Sequence, residues 1–323
     1  MKRALITGIN GQDGSYLAEL LLERGYEVHG ILKRNSVAEN QTARLDDIFK
    51  DLKLEYADML DMASLIRVLQ LVKPDEIYNL AAQSHVRISF DQPIYTTQVV
   101  GLGVLNLLES IRLTDKNIKV YQASSSEMFG NSFDDDGFQR ETTPMHPTSP
   151  YGCAKVYAYN ICCNYRNAYD MYISNGILFN HESPRRGTNF VTNKVVKEAV
   201  KIKYGLSDRL LLGNLDATRD WGHAKDYVRA MVMILQQENP SDYICATGIS
   251  HSVRDLCDYT FSQLDLDYND CVGVDKKFWR PEELTDLKGD FTKLKSIGFK
   301  SEYTFETMID EMIEYWIEIY KNV

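Results

Sequence analysis

Thr7-Gly8-Ile9-Asn10-Gly11-Gln12-Asp13-Gly14 is a glycine-spaced loop that follows a short apolar run at residues 3–7 and precedes a helically periodic segment at about 15–24. Glycines in that position let the backbone turn tightly and come close to a pyrophosphate. The helix start beyond them contributes N–H groups and a dipole that favours an anion. Outward from the loop, strand-like runs (28–32, 54–57, 76–80, 118–123, 172–179) alternate with helical ones (62–72, 96–111, 150–169). This order predicts an α/β fold, a Rossmann-type doubly wound parallel sheet. After Phe179 the pattern loosens, and residues 180–192 and 273–288 are rich in charge, Pro and Gly. A smaller C-terminal substrate-binding lobe is expected there, closing over the strand ends where such folds bind ligands. The expected division is 1–178 for the sheet domain and 179–323 mainly for the second lobe. About 213–247, with a helix near 224–235 and a strand at 243–246, should return to the first.

The 323 residues suffice for one large domain or two lobes with a sizeable core. A formal net charge of −10 argues against a nucleic-acid binder, which needs a basic face, but not against a nucleotide, which needs only a local cluster of Arg and Lys. The apolar run at the N-terminus is too short for a signal peptide. No stretch approaches the roughly 20 apolar residues of a membrane span. Cys153, Cys162, Cys163, Cys245, Cys257 and Cys271 form no C-x-x-C pair, and the six histidines show no ligand spacing. The expectation is a cytoplasmic protein with reduced thiols and no metal.

Binders of the 2′-hydroxyl form of a dinucleotide place Asp or Glu about 20 residues beyond the loop. Here that point reads Lys33-Arg34-Asn35-Ser36, two cations and no carboxylate. The pair suits a 2′-phosphate, so NADP is the expected cofactor. Asp58, after the third strand, is a candidate for the adenine edge.

Tyr151-Gly152-Cys153-Ala154-Lys155 has Y-x-x-x-K spacing behind Pro150, which suits a helix start. Residues four apart share a helix face, so Lys155 is expected beside Tyr151, favouring the phenolate of a group that otherwise titrates near 10. The strand ending Ala123-Ser124-Ser125-Ser126-Glu127 brings hydroxyls to the same place. Oxidation of a hydroxyl needs only Tyr with Ser or Thr. Glu127 adds a second acid/base, able to take a proton from one carbon and protonate a leaving hydroxyl.

Together these residues resemble the extended short-chain dehydrogenase/reductase family, and within it the GDP-mannose 4,6-dehydratases. The resemblance covers nearly the whole chain. It runs through residues 4–17, Asn79-Leu80-Ala81-Ala82-Gln83-Ser84-His85-Val86, residues 175–187 with His181-Glu182-Ser183-Pro184-Arg185-Arg186-Gly187, and Arg219-Asp220-Trp221-Gly222-His223. It implies catalysis by Ser125, where the family usually has Thr, with Glu127, Tyr151 and Lys155. For the cofactor it implies Gly8, Asn10, Gly11, Gln12, Asp13 and Gly14 of the loop, then Arg34, Asn35, Ser36, Asp58 and Met59. Leu80, Ala82, Gln83, Ser84, Tyr95, Lys155, His181 and Arg186 complete that set. For the substrate it implies Ser84, Ser125, Glu127 and Tyr151 at the sugar, with Asn180, Val191, Lys194, Gly213, Arg219, Arg280 and Glu283 further out. Arg219 and Arg280 can fork onto a diphosphate, and Glu283 can accept from ribose hydroxyls. Trp221 is expected to serve packing rather than to carry a ligand.

The resemblance implies oxidation at C4 of GDP-mannose, loss of water across C5 and C6, and hydride return to C6, giving GDP-4-keto-6-deoxymannose. That product feeds GDP-fucose or GDP-rhamnose synthesis, and a side reduction to GDP-rhamnose stays open. It also implies a homo-oligomer, dimer or tetramer. The alternatives are another sugar-nucleotide epimerase or reductase, a dTDP-glucose dehydratase and a non-catalytic NADP sensor. Glu127 speaks against the first and Ser126, standing where a second acid would be, against the dTDP-glucose enzyme. The intact constellation speaks against the sensor.

Overall fold

The computed structural model describes residues 1–34, 41–278, 282 and 284–322. Strands β1 (Arg3–Thr7), β2 (Glu27–Leu32), β3 (Lys53–Tyr56), β4 (Glu76–Asn79), β5 (Lys119–Ser125) and β6 (Ile173–Leu178) pair in parallel. Beyond the short β7 (Asn180–Glu182), β8 (Leu210–Leu212) and β9 (Thr218–His223), strand β10 (Tyr243–Cys245) joins the edge beside β6. The sheet order is β3-β2-β1-β4-β5-β6-β10, the doubly wound arrangement expected from the alternating pattern.

Period-two alternation sends Ala4, Ile6, Val28, Tyr78 and Tyr121 to one face, where α1 (Gln12–Glu23) covers them. Leu5, Ile31, Ile77 and Val120 face the other way, under α2 (Met62–Val72), the helical stretch α3 (Pro93–Thr114) and α4 (Pro150–Tyr169). Caps account for where the sharpest helices begin. The Asp61 side chain accepts from Ala63 N and Ser64 N ahead of α2, and Ser149 Oγ accepts from Gly152 N ahead of α4.

Helix α3 departs from expectation. It spans 22 residues, with a π-helical turn at Gln98–Leu102, and is long and apolar enough by length and composition to cross a membrane. No stretch of that kind was expected. The apolar run is a core helix by its packing, with Val104, Leu107, Leu108 and Ile111 buried against the sheet.

The second lobe is built from α5 (Val191–Lys203), α7 (Val253–Ser262) and α8 (Phe305–Tyr320), packed around the buried Trp221. Of the expected 213–247 return, α6 (Ala224–Leu235) and β10 do pack on the main sheet. Residues 218–223 do not. As β9 they form a separate three-stranded sheet with β7 and β11 (Ser250–Ser252), because their backbone partners are 180–182 and 250–252. A pair of short strands, β8 and β12 (Val272–Val274), completes the lobe.

An ion pair fixes α4 against the β6–β10 edge. Asp242 pairs with Arg166 and accepts from Tyr159 Oη at 3.1 Å and Asn175 Nδ2 at 2.8 Å. Burial pushes its carboxyl up, but Arg166 outweighs that and holds it below the usual range. Its stabilising effect is therefore present above the ordinary carboxylate pKa and lost as pH falls through the depressed value. Asp242→Ala should destabilise the fold by about 3–5 kcal/mol in urea unfolding at pH 7, because a half-buried Arg166 is left unpaired. A loss below about 1 kcal/mol would show that the pair is dispensable.

Candidate active site

A cavity of about 630 Å³ opens at the carboxyl ends of β1, β4, β5 and β6, with second-lobe residues forming its far wall. The glycine loop makes its floor. Gly8 sits at φ +69°, and Gly11 N donates to Gly8 O at 3.0 Å. A Cβ on Gly14 would lie 2.3 Å from Gly8 O and 2.6 Å from Ile9 Cα, so only glycine lets α1 start this close to the loop. Helix α1 begins at Gln12 with no side-chain cap, which leaves its first N–H groups facing the cavity floor, a cradle that fits a dinucleotide pyrophosphate.

Ser125, Glu127, Tyr151 and Lys155 all line this cavity, and each is more than nine-tenths buried. The Ser125 hydroxyl begins a short 3-10 turn, accepting from Glu127 N at 3.3 Å, and so sets the direction in which Glu127 leaves the strand. Gly152 keeps α4 close to that turn, since a Cβ there would meet Glu127 O at 2.7 Å. Burial pushes the Tyr151 phenol well above its ordinary value. The Ser125 hydrogen bond pulls it down, Glu127 raises it and Arg186 lowers it. Lys155 Nζ lies 5.7 Å from the Tyr151 ring centre and donates to Ala123 O at 2.6 Å, and burial lowers its pKa to about 8. Ser125 and Arg186 are the groups that favour the phenolate in this arrangement. The ammonium is turned instead to the strand end.

His181 joins the loop to the second lobe. Its Nδ1 lies 2.8 Å from Phe179 O and its Nε2 2.8 Å from Asp13 Oδ2. A carbonyl and an ionised carboxylate both accept, an environment that favours hydrogen on both ring nitrogens and so the charged imidazole. Burial lowers its pKa, but the Asp13 carboxylate outweighs this and raises it. Burial raises Asp13, and His181 outweighs that and lowers it. The ring stacks on Tyr227 at 4.5 Å. Arg186 is held by Glu182, with Nε and Oε2 at 3.0 Å, and its guanidinium lies 3.7 Å over the Phe190 ring.

Other expected residues fall in two groups. Asn10, Leu80, Ala82, Ser84, Asn180, Val191, Lys194, Gly213 and Arg219 line the cavity. Lys194 Nζ donates to Leu211 O at 2.6 Å and lies 4.0 Å over Phe278, while Arg219 Nη1 donates to Leu284 O at 3.2 Å. Arg34, Asp58, Met59, Gln83 and Tyr95 do not line it. They lie past the ends of β2, β3 and β4. Lys33 is engaged by Asp58 at 3.2 Å and by Tyr95 Oη at 3.2 Å, whereas Arg34 lies over the Tyr56 ring at 5.9 Å. Met59 is buried in the core, and Gln83 spends its amide on His85 and Thr96. Asn35, Ser36, Arg280 and Glu283 lie outside the described residues. Trp221 is buried and stacks on Phe305, as packing predicts, and its edge also reaches the cavity wall.

The cavity also holds residues that the sequence did not single out, among them Arg44, Glu182, Arg185 and Lys277. Arg44 donates to Arg185 O at 2.9 Å and Asn10 O at 3.3 Å. Glu182 and Arg185 sit inside the family-like run at 175–187 and were findable there. Arg44 and Lys277 come from aperiodic segments with no local signal.

Because the folded His181 pKa is raised, its stabilising effect is full below the ordinary value of about 6.5 and is lost as pH climbs through the raised one. Asp13→Asn removes the carboxylate while burial and Arg186 still lower the ring, so the His181 midpoint should fall in side-chain NMR. An unchanged midpoint would refute the role of Asp13 in raising it.

The family model for GDP-mannose 4,6 dehydratase matches residues 5–312. GDP-mannose 4,6 dehydratase 1 of Arabidopsis thaliana is 50% identical over 334 residues, which cover 99% of this chain and 91% of that protein. Among solved structures, the dTDP-glucose 4,6-dehydratase of Bacillus anthracis, in complex with NAD, is similar with a TM-score of 0.85 over 100% of this chain and 98% of that one. RMD of Pseudomonas aeruginosa, complexed with NADPH, gives 0.81 over 98% and 100%. At 22% and 21% identity, these two establish the shared fold alone. With a matched model spanning 5–312 and half its residues shared with a relative along nearly its full length, this chain belongs to the GDP-mannose 4,6-dehydratase family.

Proposed function

We propose that this chain is an NADP-dependent GDP-mannose 4,6-dehydratase that converts GDP-mannose to GDP-4-keto-6-deoxymannose and water. The observation that carries the reading is Glu127, a buried carboxylate in the same cavity as Tyr151 and Ser125. An epimerase or reductase has no use for a second acid/base at this point. A dehydratase needs one.

Tyr151, bonded by Ser125, takes the proton of the C4 hydroxyl. A bound nicotinamide supplies a hydride acceptor for C4 and the donor that later returns the hydride to C6. The C4 ketone acidifies C5, whose proton Glu127 removes. Glu127 then protonates the C6 hydroxyl as it leaves as water, and once the hydride is back on C6 a proton from solvent completes C5, balanced by the one Tyr151 took from the C4 hydroxyl. The walls of one cavity hold all three groups around one ring, so no intermediate has to dissociate.

Residues 1–178 supply the dinucleotide site and residues 179–323 mainly the substrate site. Gly8, Asn10, Gly11, Gln12, Asp13 and Gly14 cradle the pyrophosphate, flanked by His181 and Arg186. Arg34, Asn35, Ser36, Asp58, Met59, Gln83 and Tyr95 serve the adenosine end. Lys33 is already paired with Asp58, so Arg34 is the cation left for a 2′-phosphate. Lys194, Arg219 and Arg280 meet the GDP diphosphate, and Glu283 its ribose. The cytoplasmic assignment rests on six free cysteines, three of them buried. A dimer or tetramer is supported by the exposed Ile94, Leu102 and Tyr157 on adjoining α3 and α4.

Deuterium at C4 of GDP-mannose should reappear at C6 of the product, and C5 should gain deuterium from heavy water. Label retained at C4 would mean that no dehydration occurs. Tyr151→Phe and Glu127→Gln should each cut turnover by about 10²–10⁴-fold, the first before C4 oxidation and the second after it, as single-turnover absorbance would separate. For the cofactor, Arg34→Ala should weaken NADP binding about tenfold in calorimetry with little effect on NAD. Equal affinities of the unsubstituted protein for the two would contradict the NADP reading.

A further inference from the structure

Asp220 lies on β9 between two cavity residues, Arg219 and Trp221, and touches neither the glycine loop nor the Tyr151 cluster. Its carboxylate is fully buried and has four donors. Oδ1 accepts from Thr247 N at 2.8 Å and Thr247 Oγ1 at 2.6 Å. Oδ2 accepts from Gly248 N at 2.8 Å and Gly289 N at 3.3 Å. Among the described residues no cation pairs with it, and burial raises its pKa to about 6. A buried carboxylate held only by uncharged donors is costly to maintain, which turns attention to what those donors belong to.

Three of them belong to the Thr247–Gly248 turn, and the fourth, Gly289 N, ends a stretch whose Leu284 O accepts from the cavity residue Arg219. Residues 284–289 run alongside β9, with Thr218 N donating to Thr285 O at 3.1 Å and Asp220 N to Leu287 O at 2.9 Å. Ser250 Oγ reaches Leu287 O at 3.1 Å, and on the other side Gln139 N reaches Lys288 O at 2.8 Å. Leu284 and Leu287 are buried with Phe129, Phe179 and Ile244. Arg219, which lines the cavity, is tied to this stretch through Leu284 O. One carboxylate therefore joins β9, the 247–248 turn and the end of the 284–289 stretch that holds Arg219.

We propose that Asp220 is a positioning residue for sugar-nucleotide binding, locking residues 284–289 onto β9 so that Arg219, the residue beside it on that strand, stays in register with the diphosphate. The proposal rests on the GDP-mannose reading above. The acceptor-only character of a carboxylate matters, because an amide in its place must turn an NH2 toward one of the two donor pairs. Positioning acts on ground-state binding of the nucleotide and not on the reacting carbons, so it moves KM and leaves kcat in place.

The test compares Asp220→Asn and Thr247→Val with the unsubstituted protein. Thr247→Val removes one hydroxyl donor and keeps side-chain shape, so it serves even where Asp220→Asn fails to fold. Asp220→Asn should raise KM for GDP-mannose about tenfold and Thr247→Val about threefold, with kcat and the affinity for NADP within about twofold. In hydrogen exchange, amides of 285–289 should lose protection in both variants while those of β1, β4 and β5 keep theirs. An unchanged KM, a parallel loss of kcat and NADP affinity, or unaltered exchange at 285–289 would overturn the proposal. If the unsubstituted protein fails to turn over GDP-mannose, the functional reading falls instead, and the exchange data alone judge the tie.

Discussion

A buried chain of hydrogen bonds across the carboxyl ends of three neighbouring strands holds the site together. Thr7 Oγ1 donates to Asn79 Oδ1 at 2.6 Å, Asn79 Nδ2 to Gln122 Oε1 at 2.7 Å and Gln122 Nε2 to Ala123 O at 2.9 Å. Lys155 Nζ donates to that same carbonyl. The glycine loop leaves β1 directly after Thr7, the wall at Leu80 leaves β4 after Asn79, and Ser125 and Glu127 lie just beyond Ala123. The chain thus fixes the height of every catalytic segment relative to the others. Thr7 Oγ1 also accepts from Leu80 N and Ala81 N, so the first turn after β4 is tied to the end of β1. Each member is buried, and deleting one would orphan its neighbour at a cost of about 1–3 kcal/mol. Such a fully satisfied network specifies one register and no other.

The cavity inverts the charge of the molecule around it. The chain carries a formal net charge of −10, yet Arg44, Arg87, Lys155, His181, Arg185, Arg186, Lys194, Arg219 and Lys277 converge on one opening. Several are held by carboxylates, with Asp13 holding His181, Glu182 holding Arg186 and Glu19 holding Arg185. Each such pair fixes the direction in which the cation points. A concave site of one sign also focuses potential and draws in an anionic nucleotide.

Legibility in the sequence followed the strength of local signals. Residues 62–72 and 150–169 are helices over the ranges expected, because Asp61 and Ser149 cap them and Pro150 starts the second. The 96–111 segment was readable as a helix but not in its extent. Its π turn at Gln98–Leu102 leaves no periodic trace. The three-residue strands β7, β8, β11 and β12 are too short for alternation to show. Of the site, Ser125, Glu127, Tyr151 and Lys155 were readable because motif spacing on one strand end and one helix turn sets them locally.

By itself the sequence determined the parallel α/β order, the glycine loop at the end of the first strand, and the presence of a phenol, an ammonium and a carboxylate within reach of it. Each depends on residues a few positions apart, where strand and helix geometry leave little choice. Only the tertiary structure decided which partners those groups keep. Lys155 turned to Ala123 O, His181 met Asp13, a residue 168 positions away whose carboxylate raises its pKa, and Lys33 was taken by Asp58. Asp220 became the knot between β9 and residue 289. A charge state or a hydrogen-bond partner is set by what the fold brings within about 3 Å, and no local pattern encodes contacts between segments so distant in the chain.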